Sequence, residues 1–233
     1  MENEISAHAK KALHAMEKPN FNIWEKIKEI ALEVAIIVFA VMVSIWFHDQ
    51  SEHKHQQAEV KEFLEGVRED IKNDISSMKS EIVKHEKTIK SNTIVTTVKT
   101  EKDYQDLKKK KTDISLISDY SFRNQNTGNY DSFESSGKLG YLENKELKKR
   151  ILGYYHEANP ALIKIENKYD ENVDKMLEIM PKYKENKDLL FDTYFQQTIN
   201  FQKIYSKNLV KFYKLVSQES EKTLKMIDEE LKK

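Results

Sequence analysis

No cysteine occurs in the 233 residues, and there are only five glycines and three prolines. The first absence excludes disulfides, thiol nucleophiles and cysteine zinc sites, and it leaves the redox compartment unreadable. The second removes most helix breakers, so long helices can run. A net charge is missing as well: 39 Lys and Arg stand against 39 Asp and Glu. A nucleic-acid partner calls for a basic excess, and this chain has none. Glycine-rich phosphate loops, GxSxG elbows and HExxH pairs are also absent, and no nucleophile is patterned beside a base. The expectation is a protein that is not an enzyme and carries no cofactor and no metal. His48, Glu52 and His55 would share a helix face, but His53 interrupts the pattern, and a solvated headgroup-level segment explains them better. The lysines at 108–111 have acids on both sides and read as a solvated face.

What is present is concentrated apolar character against a mean hydropathy of −0.73. From Ile30 to Phe47, only Glu33 and Ser44 are polar among 18 residues. At 1.5 Å per residue the stretch covers about 27 Å, close to the roughly 30 Å hydrocarbon thickness. No polar stripe interrupts Val34–Phe47, which suits a helix whose every face meets lipid or protein. The only tryptophans, Trp24 and Trp46, lie 22 residues apart, about 33 Å along a helix, where interfacial aromatic belts belong. The reading is a membrane anchor. A cleaved signal peptide is disfavoured, because SIWFHDQ offers no small-x-small cleavage site. Lys10, Lys11, Lys18, Lys26 and Lys28 precede the span, whereas only Lys54 and Lys61 follow within 20 residues. Positive-inside places the N-terminus in the cytoplasm and the long C-terminal part outside. The expected plan is a cytoplasmic tail at 1–20, an anchor helix at 21–48 and a periplasmic helical domain at 49–233 of a bacterial inner-membrane protein.

Glu33 is the one acid in the apolar stretch, near its cytoplasmic edge. Placing a carboxylate at the centre of a bilayer costs about 2.5–3.5 kcal/mol on insertion scales, and less at the edge. A snorkelling carboxylate, a polar contact to another membrane subunit, and a proton-carrying acid are the three readings.

After the span, Val60, Leu64, Val67, Ile71, Ile75, Met78 and Ile82 recur at steps of three and four, the mark of an amphipathic helix. The mean step is nearer 3.7 than 3.5, so a straight bundle fits better than a long zipper. Residues 160–180 repeat the pattern at Leu162, Ile165, Tyr169, Val173, Met176 and Met180, with Asn159 as the expected cap and Pro181 as the stop. A shorter helix fits 144–157 through Leu147, Ile151, Tyr154 and Tyr155. The tail from Asp188 to Leu231 reads as one helix through Leu190, Tyr194, Phe201, Tyr205, Leu209, Phe212, Val216, Leu224, Ile227 and Leu231. TIVTTVKT at 93–100 is β-branched but has no sheet to join, so it is read as helix or a distorted part of one. The fold class expected is all-α: one transmembrane helix continuing into an extended antiparallel bundle.

The exception lies at 119–143, which holds three of the five glycines together with Tyr120, Phe122, Tyr130, Phe133 and Tyr141. Gly and Asn clusters mark turns, and the aromatics point to a packed loop. It either crosses between helices and seals the end of the bundle, or presents a recognition surface through Tyr130, Phe133, Ser135, Ser136, Gly137, Lys138 and Leu139.

Three segments together resemble an uncharacterised family of single-span membrane proteins from Bacteroidota-type bacteria, catalogued as a domain of unknown function. They are LEVAIIVFAVMVSI, whose Glu33 falls on the family's acid; EVKEFLEGVREDIKNDI; and NYDSFESSGKLGYLENKELKKRILGYY, the most specific. The similarity covers most of residues 30–233. The chain departs from the pattern at Ala40, where the family often has Gly, and at Gln50, where it has Trp. The resemblance implies a membrane-anchored helical domain and no activity.

Three functional readings follow. The first is a structural or accessory subunit whose helical domain binds another envelope protein or its own copies, beside the lipid bilayer. The second is an extracytoplasmic sensory bundle that moves the span. The third is a proton-coupled motor or transport component using Glu33.

Overall fold

The computed structural model describes residues 23–110, 119–123, 125–184 and 186–233. The proposed cytoplasmic tail at 1–20 lies outside these residues. Every regular element among them is helical. The elements are α1 (Ile23–Val95), α2 (Glu101–Lys109), α3 (Gly128–Ser135), α4 (Lys145–Gly153), α5 (Asn159–Ile179), α6 (Asn186–Phe191) and α7 (Thr193–Glu230). A π turn at Tyr154–Ala158 joins α4 to α5, and 3-10 turns cover Lys138–Tyr141 and Met180–Lys182.

The chain divides into two compact units, Met1–Gln56 and Gln57–Lys233. In the first unit, α1 carries the one described helix that is long and apolar enough to be a membrane span or a signal segment, and none of its apolar window is buried. Trp24 and Trp46 are exposed, as is Glu33. The Ser44 hydroxyl donates to the Ala40 carbonyl at 2.9 Å, so its polarity is satisfied within the helix.

The second unit is a three-helix bundle, and the strap formed by residues 119–123 and 125–144 lies on it. Val60, Leu64, Val67, Ile71, Ile75 and Met78 of α1 are all buried, as their spacing requires, and Ile82 packs beside them. The α1–α7 pairs run antiparallel: Arg68–Asp228, Lys79–Glu221 and Lys214–Glu86. The α5–α7 pairs do so too, through Asn172 to the Thr198 carbonyl and Tyr213 to Glu166. It follows that α1 and α5 are parallel. Parallel neighbours need a long return connection, and the glycine-rich stretch belongs to it. Its contacts march back along α1: Ser121 meets Glu81, Arg123 meets Asp74, Asn129 meets Asp70, Phe133 stacks on Phe63, and Lys138 meets Glu59. The stretch therefore runs along the flank of the bundle, not across its end.

Four local expectations need correction. The segment 93–100, expected as helix or a distorted part of one, is helix only to Val95; turns closed by Thr97 and Val98 follow, and Thr100 opens α2 with a capping box to Asp103. Asn159 does not cap α5, because the chain stays helical through the π turn and Asn159 is buried at φ −63°, ψ −51°. The tail is two helices, since Asp192 is extended and its carboxylate accepts from the Phe195 amide at 2.6 Å, capping α7. Finally, Tyr194, Phe201 and Phe212 are exposed. The buried face of α7 uses Thr198, Gln202, Ser206, Ser217, Ser220 and Thr223 among its apolar residues.

Candidate functional site

The residues of the strap were the sequence's strongest site candidates, and the structure gives each a position. Tyr130 and Phe133 point inward, Tyr130 stacked on Tyr155 and Phe133 on Phe63. The Tyr130 hydroxyl donates to Glu134 at 2.8 Å and lies 2.7 Å from His156 Nε2. The next residues close α3. Ser135 and Ser136 hydroxyls donate to the carbonyls of Ser132 and Phe133, and Gly137 takes φ +73°, the left-handed conformation that ends helices. Lys138 then pairs with Glu59 at 2.9 Å, and Leu139 packs on the core. In this arrangement Ser-Ser-Gly-Lys-Leu is a helix stop that re-aims the chain and ties it to α1.

Deeper along the strap lies a buried polar cluster that the sequence did not single out. Arg123, its side chain fully buried, donates from Nε to Glu166 at 2.8 Å, and Nη1 lies 3.6 Å from Asp74. The Tyr154 hydroxyl donates to Asp74, and the Tyr213 hydroxyl donates to Glu166 at 2.7 Å. Tyr213 is also 3.2 Å from Ser121 Oγ, and the Ser121 amide donates to Asp170 at 2.8 Å. Three helices and the π turn thus supply acceptors and tyrosines around one arginine of the strap. The π turn matters here, since its extra residue per turn lets consecutive Tyr154 and Tyr155 both face the interior.

Electrostatics follow from burial. Desolvation pushes the Asp74 and Asp70 carboxyls up, against the hydrogen bonds from Tyr154 and Asn129. Burial is also the largest influence on Arg123 and opposes its charge, but Glu166 and Asp74 outweigh it and hold the guanidinium firmly protonated. Tyr154, Tyr155 and Tyr213 are pushed well above the ordinary phenol range, chiefly by burial, and Tyr154 and Tyr213 act as neutral hydrogen-bond donors. Next to this cluster, His85 is fully buried edge-on to Tyr169 and stacked near Tyr213. Glu81 is 3.7 Å from its ring nitrogen, beyond hydrogen-bond reach, and burial followed by the Lys84 charge lowers the imidazole pKa to about 4.

Chemically, the cluster fixes the strap. Arg123 and Asp74 have no path to solvent-borne reactants in this conformation, since their side chains are 0 % and 1 % exposed. Among the described residues, no three His, Cys, Asp or Glu side chains gather to hold a metal ion, and His48 is merely 3.7 Å from Glu52 at the surface. A lone arginine in a polar stretch carries no sequence signal of burial. The one hint was the cluster of Asp70, Asp74 and Glu81 on the apolar side of α1.

No curated protein and no solved structure matches the chain. Residues 29–194 match the profile of a family described as a family of unknown function, DUF6090. That match spans well over half of the chain, from the apolar stretch through the strap to the start of α7, and the protein belongs to this family.

Proposed function

We propose that this is a single-span protein of the bacterial inner membrane, of Bacteroidota type, that serves as a structural or accessory subunit. Its N-terminus lies in the cytoplasm, and its periplasmic helical domain binds another envelope protein or further copies of itself. The observation that carries the reading is the apolar stretch of α1: all its large side chains from Ile30 to Phe47 except the partly covered Val43 are exposed. A soluble core helix of that composition would be covered by its own domain, whereas lipid is the solvent these side chains suit. The buried site supports a structural role, because Arg123 ties the strap to Glu166 of α5 and Asp74 of α1.

Affinity purification of the full chain in mild detergent tests the reading. A stoichiometric partner or a defined homo-oligomer is expected, and a clean monomer with no partner contradicts it. The proton-coupled alternative makes a separate demand on Glu33. Under the accessory-subunit reading, Glu33→Gln assembles and functions like the parent chain; loss of function with assembly intact would favour proton coupling.

A further inference from the structure

The face of α7 that the sequence assigns to the core is only partly there. Tyr194, Phe201, Ile204, Phe212 and Leu215 are 54, 51, 42, 37 and 53 % exposed. Their steps of 7, 3, 8 and 3 place them on one stripe, about 32 Å long at 1.5 Å per residue. Together they leave on the order of 500 Å² of side chain uncovered, the size of patch that marks an interaction surface on a soluble domain. The stripe begins where the family match ends, at Tyr194.

Along the stripe's own stretch of α7 the charge is one-sided, while Glu157 and Glu219 line the groove beside Leu215 at its end. Thr193–Gln218 holds Lys203, Lys207, Lys211 and Lys214 and no Asp or Glu. Lys203 and Lys214 are engaged by Thr96 and Glu86 of α1. Lys207 and Lys211 are exposed and have no ion pair among the described residues. Lys207 lies one turn from Ile204, and Lys211 lies one turn from Leu215, so both flank the stripe. A second copy docking stripe to stripe would set these lysines against their own equivalents, with no acid in the 26 residues to relieve them. The stripe is narrow and follows the helix axis, which suits a helix laid alongside better than a flat surface.

We propose that this stripe of α7 docks an amphipathic helix of a different protein, one whose apolar seam is flanked by Asp or Glu. The inference rests on the accessory-subunit reading and names the surface and the chemistry of the partner. Apolar anchors in the seam supply affinity, while the lysines select the acidic flank and fix its register.

The test uses the full chain in zwitterionic nanodiscs. Two labelled 24-residue helical peptides serve as probes, each with Leu along one seam; one carries Glu on both flanks and the other Lys. Anisotropy is expected to show the Glu peptide binding at least tenfold more tightly than the Lys peptide, more weakly at high salt. Phe201→Ser with Leu215→Ser should abolish binding without moving the thermal melt, because both side chains are exposed. Lys207→Glu with Lys211→Glu should reverse the peptide preference. Equal binding of the two peptides overturns the proposal. So does capture by phosphatidylglycerol vesicles that the serine pair abolishes, which would make the surface a lipid site, or a homodimer that the same pair dissolves. A stoichiometric partner that still co-purifies with the serine pair overturns this surface and leaves the accessory-subunit reading standing.

Discussion

Arg123 is the residue on which most of the interior depends, because it is the counter-charge for Asp74 and Glu166 at once. Removing it leaves two buried carboxylates unpaired, a loss of about 3–5 kcal/mol. Arg123→Ala should therefore lower the midpoint of thermal unfolding of the detergent-solubilised protein by roughly 10 °C. Adding Asp74→Asn and Glu166→Gln should recover much of the loss, because the buried charges are then gone. An unchanged melt for Arg123→Ala would show that the pairings add nothing. His85 makes a different prediction, about pH. Its folded pKa of about 4 lies below the unfolded 6.5, so its stabilising contribution is complete above 6.5 and is lost as pH falls towards 4. The loss is on the order of 3 kcal/mol. Asp70, Asp74 and Asp170, pushed up by burial, act oppositely: their contribution is complete in acid and fades as pH rises through their folded values. Comparison with His85→Phe isolates the histidine. The parent chain should lose stability relative to the variant between pH 7 and pH 4.5, and parallel profiles would contradict the buried neutral ring.

Among the elements, the strap and α1 meet closely at Gly66. A Cβ built there would stand 2.7 Å from Asn129 Cγ, so Asn129 must move and its 3.0 Å bond to Asp70 must yield. Gly66→Ala should destabilise the protein although alanine gains about 1 kcal/mol in helix propensity. In an Asn129→Ala background the same change should cost less, because only the Cβ of residue 129, 3.1 Å away, still stands against it. Identical effects in both backgrounds would separate the strap from α1. At the far end of α3, Gly137→Ala should cost about 1–2 kcal/mol, because φ +73° suits only a residue without a side chain.

The elements also show how far periodicity carries. In α1 and α5 the large apolar residues form the buried face, so Val60–Met78, Leu162, Tyr169 and Met176 were legible from spacing alone. In α7 the same rule points Phe201 and Phe212 inward, while the structure buries Thr198, Gln202 and Ser206. Gln202 answers Asn92 of α1 at 2.8 Å, while the Thr198 hydroxyl donates to the Tyr194 carbonyl of its own helix. Hydrophobic period cannot register a polar seam. Nor can it find Arg123, whose burial depends on carboxylates from two distant helices. The strap's aromatics signalled packing; the direction in which it runs depends on α1 and α5 being parallel, a property of the whole bundle.

At the scale of the whole molecule, a helix with an apolar stretch of membrane length and a bundle with its own hydrophobic core occupy one chain. The bundle buries its own core, whereas the apolar stretch of α1 has no cover of its own among the described residues. Anchoring in lipid is the claim on which orientation, compartment and partner class all rest. It is tested by lysing cells that express the full chain without detergent, sedimenting membranes at high speed and washing the pellet with alkaline carbonate. The protein should remain in the washed pellet and be released only by detergent. Recovery of the intact chain in the first supernatant would contradict the account.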